Sequence, residues 1–158
     1  MRSLLLVLLA FFCALPLRAD VVRLAPDFAI PTAGKTRSLR SLRGQSVVLL
    51  VTRSPKEGAF KKQLKYLQEI YQQFASKEVI FVAALLEGEG PIQSNIPFSV
   101  AANASAVAAA YGVTEDFTIA IIGRDGNIDY QTTKVLTPER VRDVIQNSFS
   151  IQSTARKL

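Results

Sequence analysis

The chain has 158 residues, with 19 lysines and arginines against 13 acidic residues, and its hydrophobic fraction of 49% is typical of a globular domain. It contains no histidine or tryptophan, and its single cysteine, Cys13, falls near the start. The rest of the chain therefore has no thiol nucleophile, no disulfide and no Cys/His ligand set for zinc, copper or haem. We expect no cofactor and no metal.

The first 19 residues have the pattern of a secretory signal. Arg2 gives a positive start, residues 4–17 are almost wholly apolar, and Ala19 ends the segment with a small residue. The apolar run is shorter than the about 20 residues that span a bilayer. We predict cleavage and a periplasmic or secreted protein that does not span the membrane; an uncleaved anchor is the alternative. Residues 20–150 then form one domain and residues 151–158 a C-terminal tail.

The next segments lead into a buried strand and a long helix. An extended piece over residues 25–31 precedes a turn at Gly34, and residues 38–44 have the caps of a single helical turn. Residues 46–52 are continuously aliphatic and β-branched, which is typical of a strand covered on both faces. After a short loop, apolar residues recur at helical spacing, which predicts a helix over residues 58–74.

The second half continues as strand, helix, hairpin and helix. Residues 79–85 form a second apolar run, which predicts a strand parallel to the first. An alanine-rich helix is expected over residues 101–111, and the Asp-Gly pair at Asp125 predicts an antiparallel hairpin of residues 117–122 and 128–132. A final helix should begin at Thr137, because an N-cap residue is followed there by proline and glutamate.

This order of elements predicts an α/β domain with a central mixed sheet, made of a parallel half and a C-terminal antiparallel hairpin, with helices on both faces. It is the thioredoxin-like arrangement. Specific segments resemble the peroxiredoxin and periplasmic thiol:disulfide families, namely Ala25-Pro26-Asp27-Phe28, Leu42-Arg43-Gly44, Tyr111-Gly112-Val113 and residues 121–128. The resemblance is closest to a cysteine-poor bacterial secreted domain of unknown function, related to peroxiredoxin-like modules of animal extracellular matrix proteins.

The departures from the family decide the functional expectation. With residues 61–64 aligned to the start of the family's helix, the two positions of its Cys-x-x-Cys motif fall on Glu57 and Phe60. The cis-proline that faces those cysteines in the family falls near Phe117. Both halves of the redox site are therefore replaced. The resemblance implies the fold and no catalytic residue.

A cluster of basic residues is the other candidate feature. Nine of them lie between positions 35 and 65 with only one acid, Glu57, among them: Lys35, Arg37, Arg40, Arg43, Arg53, Lys56, Lys61, Lys62 and Lys65. They are either a solvated face or a surface for an anionic partner such as a lipid headgroup, a polysaccharide or an acidic protein. Nucleic acid is not expected, because aromatic residues are not interleaved with the basic ones.

Two weaker patterns have simpler explanations. Asp125, Asn127 and Asp129 have the first spacings of a calcium loop, but the later positions of that motif are not matched and a hairpin turn explains them. Glu57 and Glu87 follow the ends of parallel strands and are candidates for paired acid/base work, with solvated loop acids as the simpler reading.

Two functions follow from these observations. The first is a non-catalytic exported domain that binds a partner through the face of the former redox site, in which case Phe60 and Phe117 should fill that space. The second is a residual, oxidoreductase-related enzyme that uses Glu57, Arg53 or Ser54, which requires a concave pocket with convergent polar groups.

Overall fold

The computed structural model describes residues 23–74, 79–87 and 90–155. The proposed signal and Cys13 lie outside these residues. Within them, no helix combines the length and the hydropathy that crossing a bilayer requires.

The helices and strands follow the predicted order, with additions at the start and in the middle of the chain. In chain order they are β1 (Ala29–Thr32), β2 (Lys35–Ser38), a 3-10 helix (Leu39–Leu42), β3 (Ser46–Thr52), α1 (Gly58–Phe74), β4 (Val79–Leu85), β5 (Phe98–Val100), α2 (Ala104–Ala110), β6 (Phe117–Ile122), β7 (Ile128–Thr132) and α3 (Pro138–Ala155). The last helix therefore enters the range 151–158 that the sequence assigns to a tail.

The central sheet has the strand order β5-β4-β3-β6-β7. The β3–β4 and β4–β5 pairs are parallel, and the β3–β6 and β6–β7 pairs are antiparallel, which confirms the predicted mixed sheet. Two pairings were not predicted. The strands β1 and β2 form a separate antiparallel pair, and β5 adds an edge strand of only three residues, which is too short to show a periodic pattern in the sequence.

Helices cover both faces of the sheet, as predicted. Alternate residues of β3 point to opposite faces: Val48 and Leu50 pack in a cluster with residues of α1 and α3, whereas Val47 and Leu49 pack in a cluster with residues of α2. All seven residues of β3 are buried. The continuous apolar run is explained by this double burial.

The predicted helix caps at Ser38 and Thr137 are present, and Asn103 caps α2. The side chain of Ser38 accepts a hydrogen bond from the Ser41 N–H, Asn103 Oδ1 accepts one from Ala106, and Thr137 Oγ1 accepts one from Arg140. Each bond satisfies an N–H group that has no partner within its helix.

A buried glutamine ties α1 to the segment that enters α3. Gln63 is fully buried, its Nε2 donates to the Leu136 carbonyl at 3.1 Å, and its Oε1 accepts from the Leu136 N–H at 2.7 Å. One amide thus satisfies both backbone groups of a buried residue, in the way that a neighbouring strand does. The helical spacing of the apolar residues gives no indication that Gln63 is buried.

Replacing Gln63 with leucine should destabilise the fold. The change keeps the approximate size but leaves the N–H and the carbonyl of Leu136 buried without a partner, at about 1–3 kcal/mol each. We expect a loss of about 2–4 kcal/mol in the free energy of unfolding, measured by urea denaturation. Gln72→Leu is the matched control, because Gln72 is exposed on the same helix. Equal stability of the two variants would contradict the role of the Gln63 amide.

Candidate functional site

The site lies where β3 ends, beside the start of β6 and the end of β4. There the backbone N–H of Arg53 donates to the Asp116 carbonyl, and its guanidinium lies 2.9 Å from Asp116 Oδ1 and 4.0 Å from Glu87 Oε1. Arg53 therefore joins the ends of three central strands. Its charge is paired with Asp116, and Glu87, one of the two acids considered for acid/base work, lies at the limit of an ion pair with it.

A tight turn carries the chain from Arg53 into α1. Ser54 Oγ accepts a hydrogen bond from the Lys56 N–H at 3.2 Å, and the Ser54 carbonyl accepts one from Glu57 at 3.1 Å. The Glu57 carbonyl then accepts the first helical bond, from Lys61. Glu57 is thus the N-cap residue of α1, and its half-buried side chain stands at the position aligned to the first cysteine of the family.

The space of the former redox pair is filled by aromatic side chains. Phe60 is 0% exposed and Phe117 is 3% exposed, and both belong to the apolar cluster between the sheet and helices α1 and α3. No peptide bond among the described residues is cis, so the start of β6 lacks the backbone geometry of the family's proline. This packing is what the non-catalytic hypothesis predicts.

A groove of about 590 Å³ nevertheless opens beside the filled site. One wall is the side of α1, and the other is the segment of residues 90–93. Its polar lining consists of Ser54, Lys56, Lys61, Lys65, Gln68 and Gln93, and its apolar lining of Pro55, Phe60, Leu64, Pro91 and Ile92. The sequence did not indicate residues 90–93, because a loop shows no periodicity that would place it against a helix.

Three lysines give this groove its charge, and we refer to Lys56, Lys61 and Lys65 as the groove lysines. All three are exposed, no acidic residue is among the described residues that line the groove, and no ion pair with a described residue engages them. Lys62 is adjacent in sequence but does not line the groove; its Nζ lies 5.7 Å from the centre of the Tyr66 ring.

The remaining basic residues of the predicted cluster lie elsewhere. Arg40 pairs with Asp27 at 3.7 Å, and Arg43 packs against Gly126 of the β6–β7 turn. Both precede β3, which spans about 20 Å at 3.3 Å per residue, whereas the groove lysines follow it. Lys35 and Arg37 lie on β2, whose hairpin packs through Ile30 on the opposite face of the sheet from α1. The nine residues are therefore not one surface.

Neither of two other features forms a ligand site. A cavity lined in part by Arg40 and Arg43 has a volume of only about 10 Å³, which is the size of one water. In the hairpin, Asp125 accepts hydrogen bonds from the backbone and side-chain N–H groups of Asn127 at 3.0 and 2.8 Å, as a turn requires. Burial raises the pKa of Asp129, the charge of Asp125 acts in the same direction, and a hydrogen bond with Ser148 opposes them.

The fold and the filled site define a class: a thioredoxin-fold protein without a dithiol. A model of the AhpC/TSA family matches residues 21–131, and the chain belongs to this family. Comparison with curated proteins gives no match.

Solved structures support the same fold. A protein described as the thiol:disulfide interchange protein DsbE of Chlorobium tepidum is 21% identical with a TM-score of 0.68, over 80% of this chain and 96% of that one. A thioredoxin of Neisseria meningitidis is 21% identical with a TM-score of 0.66, over 82% and 91% of the two chains. Peroxidoxin BcpB of Mycobacterium tuberculosis is 16% identical with a TM-score of 0.59, over 82% and 96%.

The aligned redox positions can be tested by restoring the dithiol, as Glu57→Cys with Phe60→Cys in a Cys13→Ser background. The Cα atoms of residues three apart on a helix lie about 5 Å apart, inside the range that a disulfide spans. We expect an intramolecular disulfide on oxidation, and a pKa of the residue-57 thiol below about 8.5 because the helix start favours a thiolate. Mass spectrometry after iodoacetamide treatment measures the free thiols.

The single variant Phe60→Cys is the control for that experiment. It should carry the same loss of core packing, about 2–4 kcal/mol, without the crosslink. Two free thiols in a double variant that is still folded would show that positions 57 and 60 do not mark the former redox pair.

Proposed function

We propose that this protein is an exported, non-catalytic binding domain that holds an anionic partner in the groove beside its former redox site. The observation that carries the proposal is that two features lie side by side: a redox-site position filled by aromatic side chains, and an open groove lined by lysines. Phe60 is fully buried where a reactive thiol would stand, and among the described lining residues the three groove lysines beside it have no acidic neighbour.

The chemistry of residues 20–158 supports the absence of thiol catalysis. Reduction of a peroxide or exchange of a disulfide requires a sulfur nucleophile, and this part of the chain has none. Export is supported by the signal pattern of residues 1–19, and the chain folds in the described residues without a disulfide or a membrane-spanning helix. A domain of this size buries enough surface to be stable without a disulfide.

The electrostatics of the groove support an anionic partner. Arg40 and Arg53 lie beside carboxylates of this chain, whereas the groove lysines have no such partner among the described residues. An uncompensated set of like charges raises the local concentration of counter-ions and of anionic ligands. Because these lysines are exposed, salt should weaken the binding, with screening over about 8 Å at physiological ionic strength.

Charge reversal tests the location of the binding surface. We expect Lys61→Glu with Lys65→Glu to lower the salt concentration at which the protein elutes from heparin. The control is Lys62→Glu with Lys134→Glu, which changes the net charge equally at exposed positions outside the groove. The control should elute close to the native protein. Equal shifts for both double variants would show that net charge, and not the groove, governs retention.

The second candidate function is a residual enzyme, and the observation that favours it is the presence of Ser54, Gln68 and Gln93 in one concave site. Its chemistry is weak. Ser54 Oγ accepts the Lys56 N–H, and activation of a serine needs an adjacent base. The described lining holds no histidine or carboxylate for this role, and its lysines are exposed to solvent, where an amine is protonated at neutral pH. Glu57 is outside that lining.

Assays of the purified Cys13→Ser protein separate the two functions. We expect no thiol-dependent peroxidase activity and no reduction of insulin, because no sulfur nucleophile remains. The same preparation treated with a thiol-blocking reagent controls for contaminating thioredoxins. Turnover that survives blocking and is lost in Ser54→Ala or Glu57→Gln would favour the enzyme over the binding domain.

A further inference from the structure

The spacing of two groove lysines matches the repeat of an extended peptide. Lys61 and Lys65 are four residues apart on α1, which separates them by about 6 Å along the helix axis at 1.5 Å per residue. In an extended chain, residues i and i+2 are about 6.6 Å apart and point to the same side. Acidic side chains at every second position would therefore lie opposite successive lysines.

The opposite wall supplies backbone groups. Residues 90–93 have no regular secondary structure and precede the edge strand β5. Among the residues that the structure describes, no hydrogen bond engages the backbone N–H groups of Ile92 and Gln93. An extended peptide can accept hydrogen bonds from such N–H groups through its backbone carbonyls.

The floor of the groove is apolar. Phe60 and Leu64 are 0% and 7% exposed, so they supply little surface themselves. The half-buried Pro55 and Ile92 and the exposed Pro91 supply the apolar surface that a ligand can cover. Contact with these residues is favourable in proportion to the apolar area that the ligand removes from water.

We propose that the groove binds an extended peptide segment in which acidic residues alternate with small apolar residues. This inference rests on the proposed function and narrows its anionic partner to a protein segment. Acidic side chains point to the groove lysines, the alternate side chains point to the floor between Phe60 and Ile92, and the main chain runs along residues 90–93. Binding of this kind is specific for the order of the residues, because a change of order moves charges onto the floor.

Binding of three probes tests the proposal, and the two peptides among them are measured by fluorescence anisotropy. The first probe is a labelled eight-residue peptide in which four glutamates alternate with valines and alanines. The second is its isomer with the four glutamates contiguous, which has the same composition and charge. The third is a vesicle of phosphatidylcholine with phosphatidylglycerol, measured by sedimentation. Each is tested with the native protein and with the two double lysine variants described above.

We expect the alternating peptide to bind about tenfold more tightly than its isomer, and Lys61→Glu with Lys65→Glu to lower that affinity about tenfold, as reversal of two charge contacts implies. The Lys62→Glu and Lys134→Glu control should bind within about twofold of the native protein. Circular dichroism confirms that each variant is folded.

Other outcomes would overturn the inference and also show what fails. Equal affinity for the two peptides, or no binding of either, with heparin retention still dependent on the groove lysines, would reject the alternating segment and leave the proposed function standing. Binding to vesicles alone would replace the peptide with a membrane surface. Heparin retention that does not depend on the groove lysines would reject the proposed function itself.

Discussion

The strand Ser46–Thr52 is buried along its whole length, and this burial positions the other parts of the candidate site. It pairs with β4 on one side and β6 on the other, and its two faces pack against separate apolar clusters. β3 is thus fixed by neighbours on both edges and on both faces. The position of its last residue therefore sets where the turn from Arg53 to Glu57 and the start of α1 lie. Ion pairs of Arg53 with Asp116 and Glu87 join the neighbouring strand ends.

The same corner shows what stands at the positions aligned to the family's redox site. In a thioredoxin arrangement, a reactive thiol must stand at the helix start with solvent access. Here the third residue of α1 is Phe60, which has no exposed surface and belongs to the same cluster as Phe117. Both side chains therefore contribute apolar contacts to the core, and neither can exchange a disulfide.

Charge is distributed by the same geometry. Arg40 and Arg43 lie before β3 and the groove lysines lie after it, so a sequence that reads as one basic cluster becomes two separate regions. Arg40 and Arg53 pair with carboxylates of the chain and Arg43 packs against a turn. The groove lysines line a concavity that has no acidic residue among its described lining residues. A concave surface with one sign of charge is suited to binding, which a solvated helix face alone is not.

The sequence by itself determined the fold class, because its signals are local. Each of these signals depends on residues that are near one another in the sequence. They are the continuous apolar run of residues 46–52, the helical spacing after Gly58, the Asp-Gly turn and the caps at Ser38, Asn103 and Thr137. The loss of the redox cysteines is likewise visible in the sequence. Tertiary structure alone decided the contacts between distant segments: the Gln63 amide on Leu136, 73 residues away, and the pairing of the short strand β5. It also decided the groove. Residues 90–93 lie beside α1 only in the folded chain, and no local pattern indicates which lysines line the groove and which face water.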